Sequence, residues 1–171
     1  MGKTSLTFRY INNHCPKKYD PTVEDSYTVQ IQLPNGGSKE FSILDTAGEE
    51  DYQNMMDQWI KLAKGFILVF ALDDQESLDA IKTKIKRIEK HEKSDLPIIL
   101  VGNKCDLVNK RKITQQQGED LAKSIKGKYY ETSALTDENG NVKTVFVECA
   151  KMILNTNGED ENDKPRCCIL F

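Results

Sequence analysis

Two short runs without a polar residue, 66–72 (Phe-Ile-Leu-Val-Phe-Ala-Leu) and 97–101 (Pro-Ile-Ile-Leu-Val), set the tightest limit on how this chain can fold. A strand with one wet face alternates apolar and polar residues. Unbroken runs bounded by turn residues belong instead to strands covered on both faces in a parallel sheet. Parallel neighbours need a long crossover, and 77–93 supplies one by placing Leu78, Ile81, Ile85 and Ile88 on a single helical stripe. Two more helical stretches follow at 114–125 and 142–154, the second with Val142, Val145, Phe146, Cys149 and Ile153 on one face, and Tyr129-Tyr130-Glu131-Thr132 lies between them as a last strand. Nearer the start, 23–33 alternates sides, Pro34-Asn35-Gly36-Gly37 supplies a turn and 41–44 resumes an apolar strand, so an antiparallel hairpin is predicted. The class is α/β: a mostly parallel sheet with one antiparallel hairpin strand and helices on both faces.

At 171 residues there is chain for one domain. The net charge of -3 offers no positive field to a phosphate backbone, so nucleic acid is not an expected partner. The longest apolar run falls far short of the roughly 20 residues of a spanning helix. Met1-Gly2-Lys3-Thr4-Ser5-Leu6 lacks the features of a secretory signal. Cysteines at 15, 105, 149, 167 and 168 show neither metal spacing nor a disulfide framework, which suits a reducing, cytosolic compartment. The lysine-rich stretch 82–93 is interrupted by Glu89 and Glu92 and reads as a solvated helix face rather than a binding patch. From 155 to 166 no residue is apolar, so 1–155 is read as the domain and 156–171 as a flexible tail.

Three motifs carry chemistry. Gly2-Lys3-Thr4 matches the last three positions of the phosphate-loop pattern G-x-x-x-x-G-K-[ST], in which the lysine reaches the β and γ phosphates and the hydroxyl ligates magnesium. Alone the triplet is weak, since an ordinary helix start can carry it. The run 41–44 ends in Asp45 and continues Thr46-Ala47-Gly48. A carboxylate at a strand's end suits Mg2+, and Gly48 lets a backbone N–H approach a terminal phosphate where a side chain would clash. Leu100-Val101-Gly102-Asn103-Lys104-Cys105-Asp106 puts a second carboxylate just past a buried strand. Asp106 can accept from both the ring N–H and the amino group of guanine, a donor pair that adenine lacks, and the Lys104 stem can cover the base. An ATP-using phosphate-loop kinase is disfavoured on that ground. Phosphate, magnesium and base motifs in this order converge on the ligand-binding edge of an open α/β sheet.

With these motifs in place the chain resembles the Ras family of small GTPases over 2–171. Tyr19-Asp20-Pro21-Thr22-Val23-Glu24-Asp25-Ser26-Tyr27 is similar to the switch I and effector segment, and Asp45-Thr46-Ala47-Gly48-Glu49-Glu50 to the start of switch II. Asn103-Lys104-Cys105-Asp106 and Glu131-Thr132-Ser133-Ala134 resemble the two guanine-recognition motifs. The resemblance implies a phosphate-loop NTPase small G domain that binds GTP or GDP with Mg2+, hydrolyses GTP and acts as a signalling switch. It implies Gly2, Lys3, Thr4, Ser5, Cys15, Tyr19, Pro21, Thr22, Gly48, Asn103, Lys104, Asp106, Leu107, Ser133, Ala134 and Leu135 around the nucleotide. Thr4, Thr22 and Asp45 would hold the metal, and Lys3, Thr22, Gly48 and Glu49 would act at the reaction. Thr22 would close on magnesium and the γ-phosphate, and Ala134 would offer its backbone N–H to the guanine carbonyl. The implied partners of this monomer are effectors, an exchange factor and a GTPase-activating protein, the last supplying an arginine that no residue here is placed to give in cis.

The chain also departs from the family. There a central strand and the G-x-x-x-x half of the phosphate loop precede the position of Gly2, so the first strand is missing here. The expectation is bare apolar edges on its neighbours, a weakened anion cradle and an incomplete gene model or fragment. Glu49 stands where the family has a glutamine; a carboxylate only accepts hydrogen bonds and repels phosphate, so slow hydrolysis and a GTP-biased resting state are expected. Cys15 replaces an aromatic ring against the guanine and Leu135 a lysine beside it, which predicts faster nucleotide release. The last residues, Cys168-Ile169-Leu170-Phe171, form a C-a-a-X box whose phenylalanine favours geranylgeranylation of Cys168. One lipid anchors marginally, and 159–166 has four acids against two bases, so Cys167 is the expected second, palmitoylated site. The expected location is the cytoplasmic face of a membrane, the plasma membrane first. The rival reading, favoured by Glu49 and the short start, is a non-hydrolysing, lipid-anchored interaction module.

Overall fold

The computed structural model describes residues 2–15, 24–32, 36–46, 53–137, 140–157 and 166–171. Along them run α1 Lys3–Asn12, β1 Glu24–Gln32, β2 Ser38–Thr46, α2 Gln53–Leu62, β3 Gly65–Ala71, α3 Gln75–Lys90, β4 Ile98–Asn103, a short 3-10 turn Val108–Lys110, α4 Gln115–Ser124, β5 Lys128–Thr132, α5 Asn141–Asn157 and β6 Arg166–Leu170. Local chemistry sets several of these bounds. The Asp74 carboxylate accepts from the N–H groups of Glu76 and Ser77 and so starts α3, and Thr114 with Gln117 forms a capping box at the start of α4.

The strands form one sheet in the order β1-β2-β6-β3-β4-β5. β1 and β2 pair antiparallel, as the hairpin pattern predicts, and the other pairs are parallel. β3 and β4 are buried along their whole length, as their unbroken apolar runs require, and Asn103 at the end of β4 is the polar exception. On one face, Trp59 and Ile60 of α2 and Leu78, Ile81 and Ile88 of α3 pack on Phe66, Leu68 and Leu100. On the other, Leu6 of α1 and Val145, Phe146 and Ile153 of α5 pack on Ile43, Ile67, Val69 and Val101. Among the described residues, no helix is long and apolar enough to cross a membrane.

Two expectations are corrected. The sequence reading makes 156–171 a flexible tail and leaves the facing edges of β2 and β3 bare. Instead α5 runs to Asn157, and residues 166–170 form β6 in the middle of the sheet, parallel to both neighbours. The physical reason is alternation: Ile169 and Phe171 join the core under α2 and α3, while Cys168 and Leu170 join the core under α1 and α5. From Cys168 to Phe171 the segment, like β3, has no polar residue to show to water. The signal was present as the unbroken run Cys-Cys-Ile-Leu-Phe, read as a lipidation motif.

The second correction concerns the lysine-rich helix face. Lys84 is buried, with its Nζ 5.6 Å from the centre of the Phe171 ring and no hydrogen-bond partner among the described residues. Positions 81, 84, 85 and 88 share one helical face, so the apolar stripe carries Lys84 inward with it. Burial, with a smaller push from the Lys3 ammonium, pulls Lys84 down to about 8. On the outer side Arg87 donates to Asp57 of α2 at 2.7 Å, and His91 meets the same oxygen at 2.7 Å.

Candidate functional site

The start of α1 lies at the carboxyl ends of the parallel strands. Gly2 caps the helix in the left-handed region (φ 93°), and a Cβ there would stand 2.5 Å from Asn103 Nδ2 at the end of β4. Both the backbone angle and the close approach require glycine. No side chain caps α1, so its first-turn amides and dipole offer an anion site. Lys3, at the first helical position, is buried; burial pulls its ammonium below the ordinary value and nearby Asp45 partly restores it.

Asp45, in the last turn of the β2 ladder, is fully buried, and no hydrogen bond of normal geometry reaches either carboxylate oxygen. Burial pushes it up to about 6, opposed by the adjoining Thr4 hydroxyl and the Lys3 ammonium. A buried carboxylate left in this condition calls for a partner. Mg2+ takes one or two protein oxygens and completes its shell with water and phosphate, and Thr4 with Asp45 fits such an ion. Ser5 follows within α1. Tyr19, Asp20, Pro21, Thr22, Val23, Gly48 and Glu49 lie outside the described residues. Of the predicted effector segment, Glu24, Asp25 and Ser26 are exposed and Tyr27 half-buried at the start of the edge strand β1. Glu24 accepts from Trp59 Nε1 at 2.7 Å, which ties that edge to α2.

The two base-recognition loops form one body. Cys105 N–H donates to Thr132 O (3.0 Å), and Asn103 Oδ1 accepts from Thr132 Oγ1 (3.2 Å) and from Ala134 N–H (3.1 Å). The amide that the resemblance assigns to the guanine carbonyl is therefore engaged by Asn103. Lys104, at φ 67°, reaches Asp73 at 3.0 and 3.1 Å. Asp106 and Ser133 line one cleft of ~310 Å³ with Thr132 and Asp137, and Leu107 is half-buried beside it. Leu135 is 64% exposed, and Cys15 is half-buried just beyond α1.

Sequence reasoning misses Arg9. Its Nε donates to Ala134 O at 2.8 Å, its guanidinium also meets Leu135 O, and Nη1 donates to Asn13 O at 3.0 Å, so α1 clamps the loop that carries Ala134. Nothing local marks this residue, because its partner is 125 positions away. The same holds for Arg111, which grips Glu131 through both oxygens at 2.8 and 2.7 Å. That fork, with Tyr129 O–H donating at 2.9 Å, holds the Glu131 carboxyl below its ordinary value against the opposing effect of burial.

A model of the Ras family matches residues 1–155. Among curated proteins, the Ras-like protein rasB of Dictyostelium discoideum is 39% identical over 170 residues, covering 96% of this chain and 84% of the relative. The Ras-like protein rasX of the same organism is 38% identical over 168 residues, covering 95% and 76%. The Ras-like protein RAS2 of Hydra vulgaris is 36% identical over 179 residues, covering 100% and 91%.

Proposed function

The chain belongs to the Ras family, and on that premise we propose that it is a slow GTPase whose GTP form engages effectors. The observation that carries this reading is Asp45, fully buried beside Lys3 and Thr4 at the start of α1, with neither carboxylate oxygen in a hydrogen bond of normal geometry. In the proposed site Lys3 binds the β and γ phosphates, while Thr4, Asp45 and Thr22 hold Mg2+, which neutralises phosphate charge when bound. Gly48 gives its backbone N–H to the γ-phosphate, and Asp106 selects guanine beneath the Lys104 stem. Glu49 orients water poorly because it cannot donate a hydrogen bond. Effectors dock on the edge strand that begins within 19–27, and an activating protein supplies the arginine. Once residues 166–171 leave the sheet, lipids on Cys168 and Cys167 hold the switch at the cytoplasmic face of a membrane.

The test is to purify the 171-residue chain, denature it and identify the released nucleotide by chromatography. Stoichiometric guanine nucleotide with GTP in excess is expected; adenine nucleotide overturns the reading. Single-turnover hydrolysis no faster in Glu49→Gln than in the parent overturns the role given to Glu49. One observation favours the second reading, an interaction module without a working nucleotide site: the Ala134 amide and the Lys104 ammonium are both satisfied internally. An empty protein in the same chromatogram is its expected result.

A further inference from the structure

Lipidation and the observed fold make opposite demands on one residue. Cys168 keeps 4% of its surface exposed, and Ile169, Leu170 and Phe171 keep none. Phe171 N–H donates to Ile67 O (3.0 Å), Val69 N–H donates to Phe171 O (2.7 Å), and the Thr46 hydroxyl donates to Leu170 O (2.7 Å). Cys168 Sγ lies 3.2 Å from Cys149 Sγ of α5, sealed beneath that helix. No electrophile, lipid donor or small alkylating reagent can reach a sulfur placed there without an opening of the structure.

The segment can also leave without breaking a ladder between other strands. β1 and β2 pair with each other, and β3, β4 and β5 form their own parallel set. Among the described residues β2 reaches β3 only through β6. Beyond α5 the chain reaches β6 through 158–165, in which six polar or charged residues lie between Gly158 and Pro165. We propose that residues 166–171 are a displaceable middle strand, supplied by the chain to itself, that withholds Cys168 from modification. The protein then has two exclusive states: sheet closed with Cys168 hidden, and strand released with Cys168 available. The lipid as modifier rests on the proposed function above; the gate on the thiol does not. Release also uncouples β2, which carries Asp45, from β3, so opening the gate loosens the edge where α1 begins.

Pulsed alkylation of the full chain in a Cys167→Ser background tests this, with iodoacetamide as probe and peptide mapping as readout. Cys168 is expected to react at least roughly a hundredfold more slowly than in the urea-unfolded chain, because a buried thiol reacts only through an opening equilibrium. Half-buried Cys15 should be slowed far less. Ile169→Asp places a carboxylate at a fully buried position and should bring Cys168 to within a few-fold of its unfolded rate while the helical circular dichroism persists. Should that variant not fold, a second measurement on the parent stands alone. Diamide takes two electrons and two protons from a pair of thiols, joins them as a disulfide and becomes a hydrazine. The reagent reaches the pair only through an opening, so treated chain should slowly become an internally linked monomer, joined between Cys149 and Cys168 as the strand recloses. Native Cys168 reacting at the unfolded rate, or peptide mapping that finds Cys168 joined to another chain, overturns the proposal. Neither readout involves a lipid, so failure of the membrane reading would show separately as unchanged membrane binding on loss of Cys168.

Discussion

Truncation of Phe171 is the sharpest probe of the central strand. Its ring is fully buried, stacks on Phe66 at 6.0 Å and 18°, tilts against Trp59 at 6.4 Å, and lies 5.6 Å beneath the Lys84 ammonium. Removing a buried phenylalanine costs about 3–5 kcal/mol through lost transfer free energy and the void left behind. Phe171→Ala also leaves the buried Lys84 ammonium without its aromatic face, which places the expectation in the upper half of that range. The loss has a ceiling, because it cannot exceed the free energy with which β6 occupies its slot; beyond that the strand departs and the remainder stands without it. Urea denaturation of parent and variant, in reductant, measures the difference. For a slope near 2 kcal/mol per molar, the midpoint should fall by about 2 M. Phe171→Leu keeps most of the volume and should cost about 1 kcal/mol, so the two variants form a graded pair. A shift under about 0.5 kcal/mol for both, the size of an ordinary surface substitution, would refute the placement of Phe171 in the core.

Three further outcomes are expected. Asp45→Asn should stabilise the nucleotide-free protein at pH 7 by about 1–3 kcal/mol, because it removes a buried charge that Thr4 and Lys3 only partly offset, while Mg2+ should no longer tighten nucleotide binding; denaturation and a magnesium titration read the two effects. Arg9→Ala should loosen the loop carrying Ala134 and weaken GDP binding roughly tenfold, about 1.4 kcal/mol, in a fluorescent-nucleotide titration, with the melting temperature little changed. Glu131→Gln should destabilise by about 1–2 kcal/mol at neutral pH, since hydrogen bonds to a charged group are the stronger kind. The folded pKa of Glu131 lies below the ordinary 4.5, so its contribution is present above that value and fades as pH falls through the depressed folded value. Parent and variant should converge in urea titrations at acid pH and diverge at pH 7.

Much of the sheet was legible in the residues themselves. Runs 66–72 and 97–101 contain no polar position, and no arrangement other than burial on both faces suits them, so β3 and β4 follow from composition alone. The expected helix at 114–125 begins at its cap, Thr114, because a cap satisfies amides within its own turn, whereas 77–93 starts two residues inside the observed α3 and passes over its cap, Asp74. Gly2, Lys3, Asp45 and Asp106 stand out because phosphate, magnesium and guanine each demand a residue type at a strand end or helix start. What stayed hidden depends on partners distant along the chain. Arg9 reaches a carbonyl 125 positions away, and Lys84 is buried because its apolar neighbours on α3 turn inward. The run Cys-Cys-Ile-Leu-Phe suits a lipid motif and a buried strand equally well by local pattern. Only the gap between β2 and β3, with an apolar core above and below it, decides for the strand, because pairing in a sheet is chosen by long-range complementarity that no single segment encodes.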